Sequence, residues 1–171
     1  MKPIRVAIIT VSDAASRGER EDTSGGAIAS WAAERGHRVV DRTVVPDEPD
    51  RIGGRLRALA DGGGVDLVLT TGGTGFTARD RTPEATLAVL EREAPGVAEA
   101  LRFAGANAGT ATAWLSRGVA GIRGSTLIVN LPGSTGGVRD GLALMDELAP
   151  HAVQLLRGDD TGTHPPHSDH G

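Results

Sequence analysis

The segment from Val65 to Glu84 limits the possible folds more than any other part of this chain. An apolar run, Val65 to Leu69, passes directly into Thr70-Thr71-Gly72-Gly73-Thr74-Gly75-Phe76-Thr77-Ala78-Arg79-Asp80-Arg81, and Thr82-Pro83-Glu84 then marks a helix start. A short apolar run of this length reads as a buried strand, and proline suits a first helical turn. The segment is therefore a strand, a glycine-rich loop and a helix in succession, the repeating unit of wound α/β sheets. Such a loop can present bare backbone N–H groups and hydroxyls to an anion, and Asp80 beside it can hold a cation. The chemistry suggested is that of nucleotide phosphates.

The rest of the chain repeats the pattern. Residues 4–11, 37–45, 65–71 and 125–131 read as strands. Residues 24–35, 50–60, 83–92, 95–105 and 138–156 read as helices, with Leu87 and Leu90 of the third directed inward. Residues 12–23 read as a loop, and 110–117 fit either a short strand or a short helix. Alternating strands and helices predict a three-layer α/β/α sandwich with a mostly parallel sheet. Residues 1–157 are expected to form one domain, and the polar tail 158–171 to be disordered. Ligands of such sheets bind beyond the carboxyl ends of the strands. The loops at 12–23, 46–49, 72–82 and 132–137 all follow strands, so they should gather into one site.

Composition narrows the chemistry. The formal net charge is −4, which disfavours general nucleic-acid binding. The absence of cysteine excludes disulfides, thiolate nucleophiles and zinc-thiolate sites. No apolar stretch reaches the ~20 residues of a membrane helix, and the start of the chain lacks a signal-peptide layout. A cytoplasmic location is the expectation. Lys2 is the sole lysine among 18 basic residues, so any phosphate clamp must use arginine, backbone or metal. That excludes the P-loop, which needs a lysine. Gly73-x-Gly75-x-x-Ala78 matches a dinucleotide fingerprint only loosely, because the helix opens several residues beyond the glycines. Gly133-Ser134-Thr135-Gly136 is not the Gly-x-Ser-x-Gly elbow of hydrolases. Taken singly, Asp47 and Asp80 could be helix-start residues. At one sheet end they become a cation cradle.

Thr71-Gly72-Gly73-Thr74-Gly75, followed by Arg79-Asp80-x-Thr82-Pro83-Glu84-Ala85-Thr86, closely resembles the MogA/MoaB family of molybdenum-cofactor proteins, which includes the gephyrin G domain. Further segments fit in the same order: Val11-Ser12-Asp13 with Asp22-x-Ser24-Gly25, then Val45-Pro46-Asp47-Glu48, then Leu115-Ser116-Arg117, and Gly121 through Ser134. The resemblance implies Mg²⁺-dependent adenylylation of molybdopterin by ATP, in a homotrimer or a hexamer. It assigns Asp47 and Asp80 to catalysis and to holding Mg²⁺. It assigns Gly72, Gly73, Thr74 and Gly75 to the nucleotide and pterin phosphates, and Pro132, Gly133 and Ser134 to the adenosine. Ser116 and Arg117 are implied in pterin or phosphate contact, with Ser12, Asp13, Ser24 and Gly25 near the phosphates. Ser134-Thr135 leads straight into the last helix, as in MoaB-type members. The alternative is therefore a MoaB-type protein that binds or carries molybdopterin without chemistry. Neither nucleic acid nor membrane is an expected partner.

Overall fold

A computed structural model describes residues 2–159. Four strands run parallel: β1 (Arg5–Val11), β2 (Arg38–Val45), β3 (Leu67–Thr71) and β6 (Thr126–Leu131), with β2 at an edge of the sheet. Two short strands, β4 (Arg92–Glu93) and β5 (Ala120–Arg123), complete a six-stranded sheet in the order β2-β1-β3-β6-β5-β4. Both are antiparallel to their neighbours. Helices α2 (Thr23–Glu34), α5 (Pro95–Asn107) and α6 (Thr135–Leu156) cover one face. On the other lie α3 (Pro49–Asp61) and α4 (Thr82–Leu87). This is the three-layer α/β/α arrangement expected from the sequence.

The two cores follow from the two-residue period of β1. Val6 and Ile8 face Ile28, Trp31, Leu142 and Met145, while Ala7, Ile9 and Val11 face Ile52, Leu56 and Leu59. With both faces covered, the central strands are almost continuously apolar. Register brings the strand ends level: Val11 pairs with Val45, Thr10 with Thr71, and Thr71 with Leu131. The four loops expected at one end therefore leave the sheet side by side.

Several local expectations are corrected. The helix expected over 83–92 stops at Leu87, which is exposed, and Arg92–Glu93 turns into the edge strand β4. Residues 120–126 form a hairpin, in which Gly124 takes a positive φ of 56° between β5 and β6. The segment 110–117 contains a 3₁₀ turn, Ala111–Leu115, and 12–23 contains a one-turn helix, α1 (Asp13–Ser16). The last helix begins at Thr135 because Ser134 caps it, its Oγ accepting from the Gly137 N–H at 3.1 Å. Arg157, the last residue of the expected domain, is held by Asp66 and the Pro3 carbonyl. The expected tail, from residue 160 onward, lies outside the described residues.

Candidate active site

The loop after β3 is shaped by two glycines with positive φ, Gly72 at 94° and Gly73 at 68°. A Cβ on Gly72 would lie 2.3 Å from the Val11 carbonyl oxygen, and one on Gly73 would lie 2.2 Å from Thr82 Oγ1. No side chain fits at either position. Thr82, the first residue of α4 and fully buried, holds the loop from behind. Its Oγ1 donates to the Gly72 carbonyl at 2.9 Å, and its N–H donates to the Gly73 carbonyl at 3.1 Å. With the carbonyls engaged, the backbone N–H groups of residues 72–76 donate to no other described residue. The same holds for Gly133 and Ser134 in the loop after β6. Free amides on a left-handed turn make an anion-binding concavity. The helix starts at Thr82, well past the glycines, so the loop is not the dinucleotide-binding turn.

The aspartates are positioned by their neighbours. Asp47 and Asp13 bond reciprocally: the Asp13 N–H donates to Asp47 Oδ2 at 3.1 Å, and the Asp47 N–H donates to Asp13 Oδ1 at 3.0 Å. Asp13 also pairs with Arg79 at 2.7 Å, and that guanidinium draws its pKa down. Asp47 is half-buried, and its Oδ1 has no donor among the described residues. Burial pushes its carboxyl pKa up, and the charges of Asp13 and Asp80 add to the shift. The helix cap foreseen for Asp47 falls instead on Glu48, without a side-chain bond. Asp80 Oδ2 accepts from the Thr77 N–H at 2.9 Å and from the Thr77 hydroxyl at 2.8 Å, while Oδ1 accepts from no described residue.

Two clefts border this loop from opposite sides. The first, about 430 Å³, is lined by Gly73, Thr74, Gly75, Asp80, Ser116 and Pro132, with Leu101 and Leu115 adding apolar wall. The second, about 540 Å³, is lined by Ser12, Ser24, Gly72 and a row of threonines. Gly133 and Ser134 border both. Ser12 caps α1, and Ser24 donates to the Gly133 carbonyl at 2.8 Å, so both hydroxyls also hold the loops in place.

Asp13, Gly25, Asp47 and Arg117 line neither cleft. Gly25 lets α2 start against Thr10 and Asp22. Arg117 braces the loop: it donates to the carbonyls of Gly75 at 2.8 Å and Asp80 at 2.7 Å, and it pairs with Glu84. Sequence reasoning missed Arg102 and Asp140, which line the first cleft from α5 and α6. Arg102 interrupts the apolar stretch around Leu101 and Phe103, a signal that could have marked it.

A family model described as a probable molybdopterin binding domain matches residues 7–151. The chain is 43% identical over 134 residues to molybdenum cofactor biosynthesis protein B of Escherichia coli, covering 78% of this chain and 77% of that one. It is 39% identical over 160 residues to a molybdopterin adenylyltransferase of Helicobacter pylori, covering 92% and 90%. It also matches a bifunctional molybdenum cofactor biosynthesis protein of Synechococcus elongatus at 40% identity, but spans only 48% of that longer protein. The fold superimposes on the crystal structure of MoaB from Thermus thermophilus with a TM-score of 0.85 and 52% identity, covering 91% of this chain and 97% of that one. With the loop, the aspartates and the level strand ends in place, the chain belongs to the molybdopterin-binding domain family of molybdenum-cofactor biosynthesis.

Proposed function

We propose that the protein is a molybdopterin adenylyltransferase. It transfers AMP from Mg-ATP to the terminal phosphate of molybdopterin and releases pyrophosphate. The observation that carries this reading is the pair of clefts meeting at one loop whose amides are free. A two-substrate reaction at phosphorus needs that arrangement, with one substrate in each cleft and their phosphates meeting over N–H donors. A phosphate oxygen of molybdopterin forms a bond to the α-phosphorus as the bond to the pyrophosphate oxygen breaks. Negative charge grows on the α-phosphate oxygens and the leaving group. The amides of residues 72–76, with those of Gly133 and Ser134, are suited to stabilise it without reorganising.

Asp47 and Asp80 would hold the Mg²⁺. The undonated Oδ1 of Asp47 and the facing charges of Asp13 and Asp80 favour a cation there. Among the described residues no three acidic or histidine side chains form a ready-made metal cluster. That suits Mg²⁺, which binds one or two carboxylates and completes its shell with substrate phosphates and water. When bound, the ion neutralises charge on the triphosphate and on departing pyrophosphate.

A carrier that performs no chemistry has no use for a half-buried, repelled aspartate beside a phosphate loop, so Asp47 favours catalysis over the carrier reading. No helix among the described residues is long and apolar enough to cross a membrane, and we place the reaction in the cytoplasm. The assembly we propose is a homotrimer, for which the exposed Phe103 and Trp114, in edge contact at 6.3 Å, offer apolar surface to bury.

The test is pyrophosphate release from Mg-ATP with molybdopterin supplied. Wild type should release pyrophosphate, and Asp80→Asn should cut turnover by two or more orders of magnitude while molybdopterin still binds. Background release by a wild type that binds molybdopterin tightly would establish the carrier instead.

A further inference from the structure

The first cleft carries two charged side chains that the loop network does not use. Arg102 donates through Nη1 to the carbonyls of Ser116 at 3.1 Å and Gly118 at 3.0 Å. Its Nε and Nη2 have no acceptor among the described residues, and neither is a buried unpaired atom. Asp140 makes no ion pair or hydrogen bond through its carboxylate with any described residue. Both side chains are half-buried on the cleft wall. Arg102 is also the single basic residue lining this cleft, and it borders a smaller depression as well. The nearby arginines are committed elsewhere: Arg79 to Asp13, and Arg117 to Gly75, Asp80 and Glu84.

A carboxylate and a guanidinium that share a cleft without pairing are matched by a ligand that satisfies both. The carboxylate only accepts hydrogen bonds, so it complements an edge carrying two adjacent N–H donors. The 2-amino group and N3–H of an aminopyrimidinone form such an edge. Adenine does not, because its 6-amino donor stands next to an N1 lone pair that would face the second carboxylate oxygen. The guanidinium fork complements phosphate oxygens, and it shares the cleft with the free amides of Gly73, Thr74 and Gly75.

We propose that Asp140 and Arg102 are the residues that select the pterin substrate. Asp140 accepts from its 2-amino and N3–H donors, and Arg102 donates to its terminal phosphate. This rests on the adenylyltransferase reading above.

The experiment is calorimetric titration of wild type, Asp140→Asn and Arg102→Gln, each with molybdopterin and separately with Mg-ATP. Asparagine keeps the shape of Asp140 but puts a donor where an acceptor is needed. Asp140→Asn should weaken molybdopterin binding roughly tenfold to hundredfold, the worth of a charge-assisted bond, and leave Mg-ATP binding unchanged. Arg102→Gln should weaken molybdopterin binding and flatten its salt dependence. Molybdopterin binding by Asp140→Asn equal to wild type would overturn the proposal. So would equal weakening of both substrates together with a lowered melting temperature, which would reveal a purely structural role. A wild type that fails to bind molybdopterin at all would overturn the underlying reading, a result distinct from binding that ignores Asp140.

Discussion

Asp47 has one carboxylate oxygen bonded to the Asp13 amide and the other without a donor, with Asp13 and Asp80 close enough to repel it. Its folded-state pKa therefore lies above the unfolded value. A preference for the protonated form stabilises the fold at low pH and is lost as pH rises through the shifted pKa. At neutral pH the ionised side chain is a net cost. Asp47→Asn, whose amide oxygen can still accept from Asp13, should raise the melting temperature at pH 7 by a few degrees and abolish AMP transfer. The gain should shrink as pH falls through the carboxylate range, which thermal denaturation across pH 4 to 8 would show. Asp47 and Asp80 were legible in the sequence because each follows a strand-end motif. Arg102 and Asp140 were not, because helical residues reach a cleft only once the helices are docked.

The elements around the loop work as a brace. Thr82 opens α4 and holds both glycine carbonyls, while Thr86 Oγ1 donates to the Thr82 carbonyl at 2.7 Å and accepts from Asn130 Nδ2 of β6 at 3.0 Å. Thr82→Val keeps the β-branched shape and removes the donor to the Gly72 carbonyl. It should cost about 1–3 kcal/mol in denaturant unfolding. Amide hydrogen exchange over residues 72–76 should quicken, and Thr82→Ser should recover most of both effects. In the sequence Thr82 reads as a helix cap, because a cap and a latch use the same residue types at the same place. The hairpin of β5 and β6 had a local signal in Gly124-Ser125. Two- and four-residue strands carry too little periodicity to be found otherwise.

At the scale of the whole molecule, the sheet end opposite the site is tied by Asp66, which is 2% exposed. Arg5 Nη2 bonds its Oδ1 at 2.8 Å, and Arg157 Nη2 bonds its Oδ2 at 2.6 Å while also reaching the Pro3 carbonyl at 2.8 Å. The bond network thus joins the first strand, the third strand and the end of the last helix. Burial alone would raise the Asp66 pKa, but the two guanidinium groups overcome it and hold the carboxyl far below its usual range. Its contribution is present above the unfolded pKa and is lost as pH falls. Asp66→Asn should cost about 3 kcal/mol at neutral pH, near the low end for a broken buried pair because the Arg5 side chain is 38% exposed. The difference from wild type should close on acidification below about pH 4, as urea titrations at several pH values would show. Turnover per folded molecule should be unaffected, since the network lies at the far end of the strands.

By itself the sequence determined the alternation of strands and helices, the three layers, and the placing of four loops at one sheet end. These follow from apolar runs, helical spacing and glycine or proline punctuation, which act over a few residues. Tertiary structure alone decided which groups remain free once the loops meet. Arg117 and Ser24 spend donors on loop carbonyls, whereas the amides of 72–76 and the Nε and Nη2 groups of Arg102 donate to no described residue, and the Asp140 carboxylate accepts from none. Partners separated by tens of residues set that difference. A hydrogen-bond donor becomes a ligand site only where the fold supplies it no acceptor.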